Sequence, residues 1–209
     1  KEIFYMMNLS NDNQLQLDWH SHPSGSSFYP TGSTIEFMFA GAPSNQNQTL
    51  MRSSGSGSET MWKLNLITGS SAVSGALQFY LNTAKTGSSD INDSTVVMET
   101  SYLPLKNGEP WHVMLRKNYV SSVESNYNLI TGVQDTDKIS DFVAATSASV
   151  QGMTVLDTTT NNNFSGTGSL NNAITSGIYS GSNLYVGENF TGSVAEIRLW
   201  AEELAVSKF

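Results

Sequence analysis

Apolar and polar residues alternate along several short segments of this chain. Large apolar residues occupy every second position in five stretches, as one face of a β-strand requires: 15–19, 35–39, 64–66, 77–81 and 111–115. Ser, Gly, Asn and Pro are frequent between these stretches, and such residues favour turns. Short strands separated by turn signals predict an all-β fold, in which two antiparallel sheets pack face to face as a sandwich.

The most informative segment is 183–200, which has the pattern of a hairpin. A short apolar strand ends at Gly187, an aromatic residue and a second glycine turn the chain, and a second strand follows. Glu196 and Arg198 are two residues apart in that second strand, which predicts a surface ion pair on one of its faces. The pattern places Ala195, Ile197 and Leu199 on the opposite face.

The order of residues in 183–200 resembles the closing hairpin of laminin G-like and concanavalin A-like jelly rolls. Three earlier segments are similar to strands of the same superfamily and follow in the expected order: 32–39, 74–81 and 108–116, the last containing Trp111-His112-Val113. The resemblance spans about residues 30–200 and implies a two-sheet antiparallel jelly-roll sandwich. We therefore expect residues 1–209 to form a single jelly-roll domain, on its own or as a fragment of a longer chain.

The chain also departs from the pattern of that superfamily. A longer stretch, 126–140, replaces the short Tyr-Val-Asp-Gly hairpin, and the cysteines of the animal members are absent. In these respects the chain resembles microbial and bacteriophage versions, which occur in tail, neck and capsid-decoration proteins. This part of the resemblance favours a component of a phage or virus particle.

Composition and charge narrow the classes of function. Charged residues make up 13% of the chain, against about 25% in typical domains. Small polar residues replace them, which is typical of a virion or of an extracellular or cell-surface protein, with an ordinary cytosolic β domain as the alternative. The net charge is −8 and the basic residues are scattered, so the basic stripe that nucleic-acid binding requires is missing. No apolar run approaches the ~20 residues that cross a bilayer, so we expect no membrane insertion.

The sequence carries no catalytic pattern, and we expect the chain not to be an enzyme. Glycanases similar to concanavalin A in fold carry paired carboxylates on one strand, because hydrolysis of a glycosidic bond needs an acid and a base or nucleophile. No such spacing occurs here, and the adjacent Glu202 and Glu203 would point apart. The chain has three histidines, and none stands in an evident triad.

One acidic cluster is a candidate calcium site. Asp135, Asp137 and Asp141 concentrate three carboxylates in seven residues, and Ca²⁺ prefers carboxylate and carbonyl oxygens. The cluster lacks the glycine and terminal glutamate of an EF-hand loop, so a solvated turn is the alternative. We expect no cofactor, with calcium as the alternative that the resemblance to laminin G-like and lectin jelly rolls implies.

Tyrosines in or beside the predicted loops are candidates for stacking on sugars. The candidates are Tyr119, Tyr127 and Tyr179. Tyrosines at strand ends equally often pack at the edge of a sandwich, so that alternative stays open.

The leading hypothesis is a non-catalytic structural or attachment protein of an extracellular assembly, most plausibly at the surface of a phage or virus. Its partners would be other structural proteins of the same assembly, further copies of this chain and surface glycans. The alternative is a carbohydrate-binding lectin module, with or without a dependence on calcium. A glycan hydrolase is the third hypothesis.

Overall fold

The computed structural model describes residues 7–10, 13–18, 32–54, 60–82, 94–121, 124–135, 138–151, 154–158, 183–200 and 202–205. Regular structure in these residues is entirely β, and none of them forms a helix that could cross a membrane. The strands are Met7–Leu9 (β1), Leu15–Asp18 (β2), Gly32–Gly41 (β3), Gln48–Ser54 (β4), Thr60–Thr68 (β5), Gly75–Asn82 (β6), Ser94–Glu99 (β7), Trp111–Ser121 (β8), Glu124–Asp135 (β9), Lys138–Gln151 (β10), Thr154–Thr158 (β11), Asn183–Val186 (β12) and Gly192–Trp200 (β13).

The strands form two antiparallel sheets. One sheet has seven strands in the order β1-β13-β3-β8-β9-β10-β11, and the other has six in the order β2-β12-β4-β5-β6-β7. The five stretches with alternating residues fall in β2, β3, β5, β6 and β8, as far as they are described. The two-sheet sandwich predicted from the sequence is confirmed.

The hydrophobic core lies between the two sheets. Phe37 and Trp111 of the seven-stranded sheet and Trp62 and Phe79 of the six-stranded sheet are almost completely excluded from solvent. Full burial of a large apolar side chain stabilises a fold by about 1.5–3 kcal/mol. The same alternation that buries these residues turns the residues between them to the outer faces of the sheets.

The outer faces of the two sheets differ in exposure. Arg52, Lys63 and Tyr80 lie on the outer face of the six-stranded sheet and are partly exposed. On the seven-stranded sheet the outward-facing Met38 and Met114 are buried, although alternation predicted half-buried strands there. The outer face of the six-stranded sheet therefore presents polar and aromatic groups to solvent.

The segment after β13 contacts the outer face of the seven-stranded sheet. The Thr34 hydroxyl donates to the Glu202 carbonyl at 2.9 Å and accepts from the Leu204 amide at 3.0 Å. Arg116 Nη1 donates to the Leu204 carbonyl at 2.5 Å, and Trp200 Nε1 donates to Glu36 Oε2 at 2.6 Å. These contacts bury polar groups of β3 and β8 that a bare sheet would expose.

A β-bulge interrupts the alternation predicted for β13. Val194 pairs with Phe39 and faces the core, and the register shifts between Ala195 and Arg198. Glu196 adopts a positive φ of 54°, an uncommon conformation for a residue with a side chain. Because of this bulge, Ala195 and Ile197 do not share a face as the sequence pattern suggested. The predicted ion pair between Glu196 and Arg198 is confirmed.

The turn between β12 and β13 is held in place by glycine and by β4. Gly187 has a φ of 81°, and a Cβ at this position would collide with the side chain of Leu9. The Phe190 amide donates to the Gly187 carbonyl at 3.1 Å, and the Thr49 amide donates to the Glu188 carbonyl at 3.1 Å. These bonds position Glu188 beside β4, on the outer side of the six-stranded sheet.

Candidate functional site

One row of side chains crosses all six strands on the outer face of the six-stranded sheet. Strand pairing places its members directly opposite one another from β2 through β12, β4, β5 and β6 to β7. In spatial order the row consists of Gln16, Tyr185, Arg52, Lys63, Tyr80 and Val96.

The four central residues form two pairs of a tyrosine and a cation, and we call them the tyrosine–cation row. The guanidinium carbon of Arg52 lies 4.5 Å from the centre of the Tyr185 ring, and Lys63 Nζ lies 4.7 Å from the centre of the Tyr80 ring. Cations within about 6 Å of a ring centre are attracted to its electron-rich face. The strands that carry the two tyrosines are three strand spacings apart, or about 14 Å, and the strands that carry the two cations lie between them.

Glu188 joins the row from the turn that follows β12. Its Oε2 accepts a hydrogen bond from Arg52 Nε at 2.6 Å, and both side chains are partly exposed. The pKa of Lys63 is lowered mainly because the side chain is half-buried, and nearby Arg52 lowers it further while Glu188 opposes the shift. The ammonium of Lys63 is therefore partly removed from water at the middle of the face.

A second row of polar side chains runs beside the first, and we call it the amide row. Thr49, Asn65, Gln78 and Glu99 are directly opposite one another on β4, β5, β6 and β7. The Thr49 hydroxyl donates to Asn65 Oδ1 at 3.0 Å, Gln78 Nε2 donates to Glu99 Oε2, and the Tyr80 hydroxyl donates to Gln78 Oε1. Burial, assisted by the charge of Glu99, raises the pKa of Tyr80, so its hydroxyl keeps its proton.

The carboxylates described on this face belong to widely separated strands. Glu188 follows β12 and Glu99 ends β7, and these two strands are four strand spacings apart in the sheet, or about 19 Å. Glycosidases place their two carboxyl groups about 5–9.5 Å apart. Within the described part of the chain, no three residues of the metal-ligating types cluster together.

The structure corrects one of the three tyrosines proposed from the sequence. Tyr127 is 0% exposed and lies in the core, where its ring centre is 5.3 Å from that of Phe79. Its burial raises the pKa of the phenol. The prediction that Tyr127 stacks on sugars is wrong, because the ring faces the opposite sheet and not solvent.

The other two tyrosines are not tested by the structure. Tyr119 lies in β8 opposite Ser125, and its side chain is outside the described part of the chain. Tyr179 lies entirely outside the described residues. Both remain predictions.

The predicted calcium site falls on the hairpin between β9 and β10. Asp135 ends β9 opposite Lys138, and Asp141 lies in β10 where the register shifts. The positions of their carboxylates and the whole of Asp137 are outside the described residues. The calcium site therefore stays a prediction.

Sequence reasoning missed the two tyrosines of the row. Tyr80 alternates with Phe79 and the other apolar residues of β6, and Tyr185 stands between Leu184 and Val186 of β12. An aromatic residue at the outward position of an alternating strand was the available signal. What the sequence did not reveal was that the two rings share one face.

Comparison with solved structures identifies the fold. A carbohydrate-binding module of family 40 from a Ruminococcus gnavus IT-sialidase superposes with a TM-score of 0.53 at 12% identity, over 97% of this chain and 93% of that one. The fold is a concanavalin A-like jelly-roll sandwich. The LG1–3 region of the laminin α2 chain matches with a TM-score of 0.50 at 12% identity, over 96% of this chain and 32% of that one. The jelly roll thus spans about a third of the laminin chain that it matches.

A second structure of the sialidase module, with α2,3-sialyllactose bound to that module, is also similar to this chain. Its TM-score is 0.50 at 12% identity, over 97% of this chain and 92% of that one. No family model matches the chain, and no curated protein matches it in sequence. At these identities the similarity establishes the jelly-roll fold, as the sequence resemblance predicted, and leaves function to the residues.

Proposed function

We propose that this chain is a non-catalytic carbohydrate-binding module whose binding surface is the outer face of the six-stranded sheet. The observation that carries the proposal is the tyrosine–cation row, in which Tyr185 and Tyr80 are held by Arg52 and Lys63. The module would attach its bearer to glycans outside the cell.

The two rings provide flat apolar area for stacking on sugars. Tyrosine combines such area with few rotatable bonds, so its immobilisation on binding costs little entropy. The neighbouring cation restrains each ring before the ligand arrives, which reduces that cost further. Two tyrosines on strands about 14 Å apart suit an oligosaccharide that lies across the strands, with one sugar over each ring.

The amide row supplies directional contacts beside the rings. Asn65 and Gln78 are partly exposed, and their side chains contain both hydrogen-bond donors and acceptors. A sugar has hydroxyl groups around its rim, so a combination of a ring and nearby amides fits both its apolar face and its polar edge. Bonds within the row fix the orientation of these amides in advance.

The comparisons support a binding role over the other hypotheses. The similar module from the R. gnavus sialidase is a carbohydrate-binding module by name, and one of its structures contains α2,3-sialyllactose. Attachment through glycans is also compatible with the predicted attachment role and surface location. The virion assignment stays a prediction.

Calcium dependence is a separate part of the proposal. It rests on the sequence cluster of Asp135, Asp137 and Asp141 and on no contact of the described face. A thermal melt with and without millimolar calcium tests it. A higher Tm with calcium that disappears in Asp137→Asn would support the site, and an unchanged Tm would count against it.

A glycan array tests the binding proposal directly. We expect the full chain to bind a subset of immobilised oligosaccharides, and we expect Tyr80→Ala combined with Tyr185→Ala to weaken that binding about tenfold or more. Tyr102→Ala is the matched control, because Tyr102 is 51% exposed and outside the tyrosine–cation row. The proposal would be overturned if the chain bound no glycan on the array. It would also be overturned if the double variant, with an unchanged Tm, bound glycans as tightly as the wild-type chain.

A further inference from the structure

We propose that the ligand is an acidic glycan and that its carboxylate is received between Lys63 and Arg52. This inference rests on the proposed function and adds the chemical class of the ligand. It rests on a comparison of the charged side chains of the face. Some of them already form hydrogen bonds or ion pairs within the protein, and others do not.

The two carboxylates whose side chains the structure describes on this face each accept a hydrogen bond from a neighbouring side chain. Glu188 accepts from Arg52 Nε at 2.6 Å, and Glu99 accepts from Gln78 Nε2. Each is therefore oriented by the sheet and partly compensated. Neither leaves a bare negative charge at the middle of the face.

Lys63 is the cation that lacks an equivalent partner. Among the described residues no carboxylate lies within salt-bridge distance of its ammonium, and Glu188 influences it only from farther away. Its close neighbour is the ring of Tyr80. An ammonium that is half-buried without an ion pair has lost part of its hydration, so an incoming carboxylate would restore a favourable interaction.

Arg52 provides a second donor at the same place. Its bond to Glu188 uses Nε, and in the described part of the chain no residue accepts a hydrogen bond from its two Nη groups. Guanidinium groups bind carboxylates through pairs of parallel N–H bonds. Arg52 and Lys63 are directly opposite each other on β4 and β5, so their Cβ atoms stand about 4.5–5.5 Å apart. Both cations therefore attract an anion that is placed above these two strands.

The negative charge of the whole chain restricts the binding of an acidic ligand to a small part of the surface. The net charge is −8, so the chain as a whole repels anions. An acidic ligand would therefore bind only where cations are concentrated and incompletely paired. The rings on either side would hold the sugar, and the two cations would select its charge.

The test compares acidic oligosaccharides with their own methyl esters on one array. Sialylated, glucuronate-containing and galacturonate-containing glycans are each printed beside the ester, which keeps the sugar and removes the charge. We expect at least one acid to bind about tenfold more tightly than its ester. We expect Lys63→Gln to reduce that preference to about twofold, and Lys63→Arg to restore most of it. Arg198→Gln is the control, because it removes an exposed cation outside the face.

The outcomes separate this inference from the proposed function. One outcome is that acids and esters bind equally well and that the variant without Tyr80 and Tyr185 binds neither. This result would support the glycan-binding function and would overturn the acidic class of the ligand. A preference for acids that persists in Lys63→Gln would overturn the assignment to Lys63. Retention of no glycan at all would overturn both.

Discussion

Arg52 and Tyr185 are directly opposite each other on neighbouring strands, and the guanidinium carbon of Arg52 lies 4.5 Å from the centre of the Tyr185 ring. Glu188, three residues after Tyr185, binds the same guanidinium through Nε. β12 and its turn therefore hold Arg52 on two sides. This arrangement fixes a cation at the centre of a surface that would otherwise carry flexible side chains. The charge of Glu188 therefore influences how strongly the site attracts an acidic ligand.

Glu188→Gln is expected to increase affinity for acidic glycans several-fold. The substitution removes a negative charge that competes with the ligand for Arg52, and it leaves a side-chain oxygen able to accept from Nε. Titration calorimetry with an acidic glycan from the array measures the change. Glu202→Gln is the control, since Glu202 is exposed and lies after β13. A loss of affinity in Glu188→Gln alone would show that Glu188 contacts the ligand itself.

Lys106→Met is expected to destabilise the fold by about 2–4 kcal/mol. Lys106 is fully buried, and its Nζ donates to the Ser44 and Gln46 carbonyls at 3.0 Å each and to the Thr68 hydroxyl at 2.9 Å. Methionine fills similar volume but leaves those oxygens without their donor. Urea unfolding of the variant and of wild type measures the difference.

Lys63→Met serves as the comparison for that experiment, because Lys63 is a half-buried lysine on the outer face of the six-stranded sheet. We expect it to change the free energy of unfolding by less than about 1 kcal/mol. Similar losses in both lysine variants would contradict the role assigned to the three oxygens around Lys106.

The stability of the fold is expected to rise between pH 8 and pH 9.5. Burial lowers the pKa of Lys117 to about 8, so its charged form is unfavourable in the folded state. As the pH rises above that pKa, the folded chain loses the proton while the unfolded chain keeps it, and stability increases by about 1–2 kcal/mol. The raised pKa of Tyr127 acts in the opposite direction only above about pH 10, where the unfolded phenol ionises. Urea midpoints at pH 7, 8 and 9.5 measure the trend.

Lys117→Met is expected to flatten that rise, since the group that loses the proton is gone. Lys106 and Lys63 also have lowered pKa values, so a smaller rise should persist. Stability that falls from pH 8 to pH 9.5 in the wild-type chain would be incompatible with the burial assigned to Lys117.

Thr34→Val is expected to destabilise the fold by about 1–2 kcal/mol and to alter the fluorescence of Trp200. The Thr34 hydroxyl is the group that joins the backbone of 202–204 to β3, with one donated and one accepted bond. Valine has the same shape and offers neither bond. Denaturant unfolding followed by tryptophan emission measures both effects. Thr49→Val is the control, because the Thr49 hydroxyl makes a single bond on the other sheet; equal effects in the two variants would contradict this account.

The fold could be predicted from the sequence because its signals are local. Alternation at 35–39 and 111–115 identifies strands in which every second residue, beginning with Ile35 and Trp111, reaches the core. Tyr127 was open to the same reasoning, because it stands two residues before buried Leu129 and therefore shares its face. The sequence pattern does not predict the strand β9, and for that reason it places Tyr127 in or beside a loop.

The candidate site could not be predicted, because it depends on which strands become neighbours. Arg52 and Tyr185 are separated by most of the chain, and only the pairing of β4 with β12 brings them together. The bulge at Glu196 was equally hidden, since glutamate gives no sign of a positive φ. Sequence alternation shows that a residue points outward, but not which other residues share its surface.

The most direct test of the central claim is to map a retained glycan onto the chain by amide chemical-shift perturbation. The account predicts perturbed amides on the six-stranded sheet, concentrated at Tyr185, Arg52, Lys63 and Tyr80. Perturbations confined to the seven-stranded sheet, with these four amides unchanged at saturation, would contradict it.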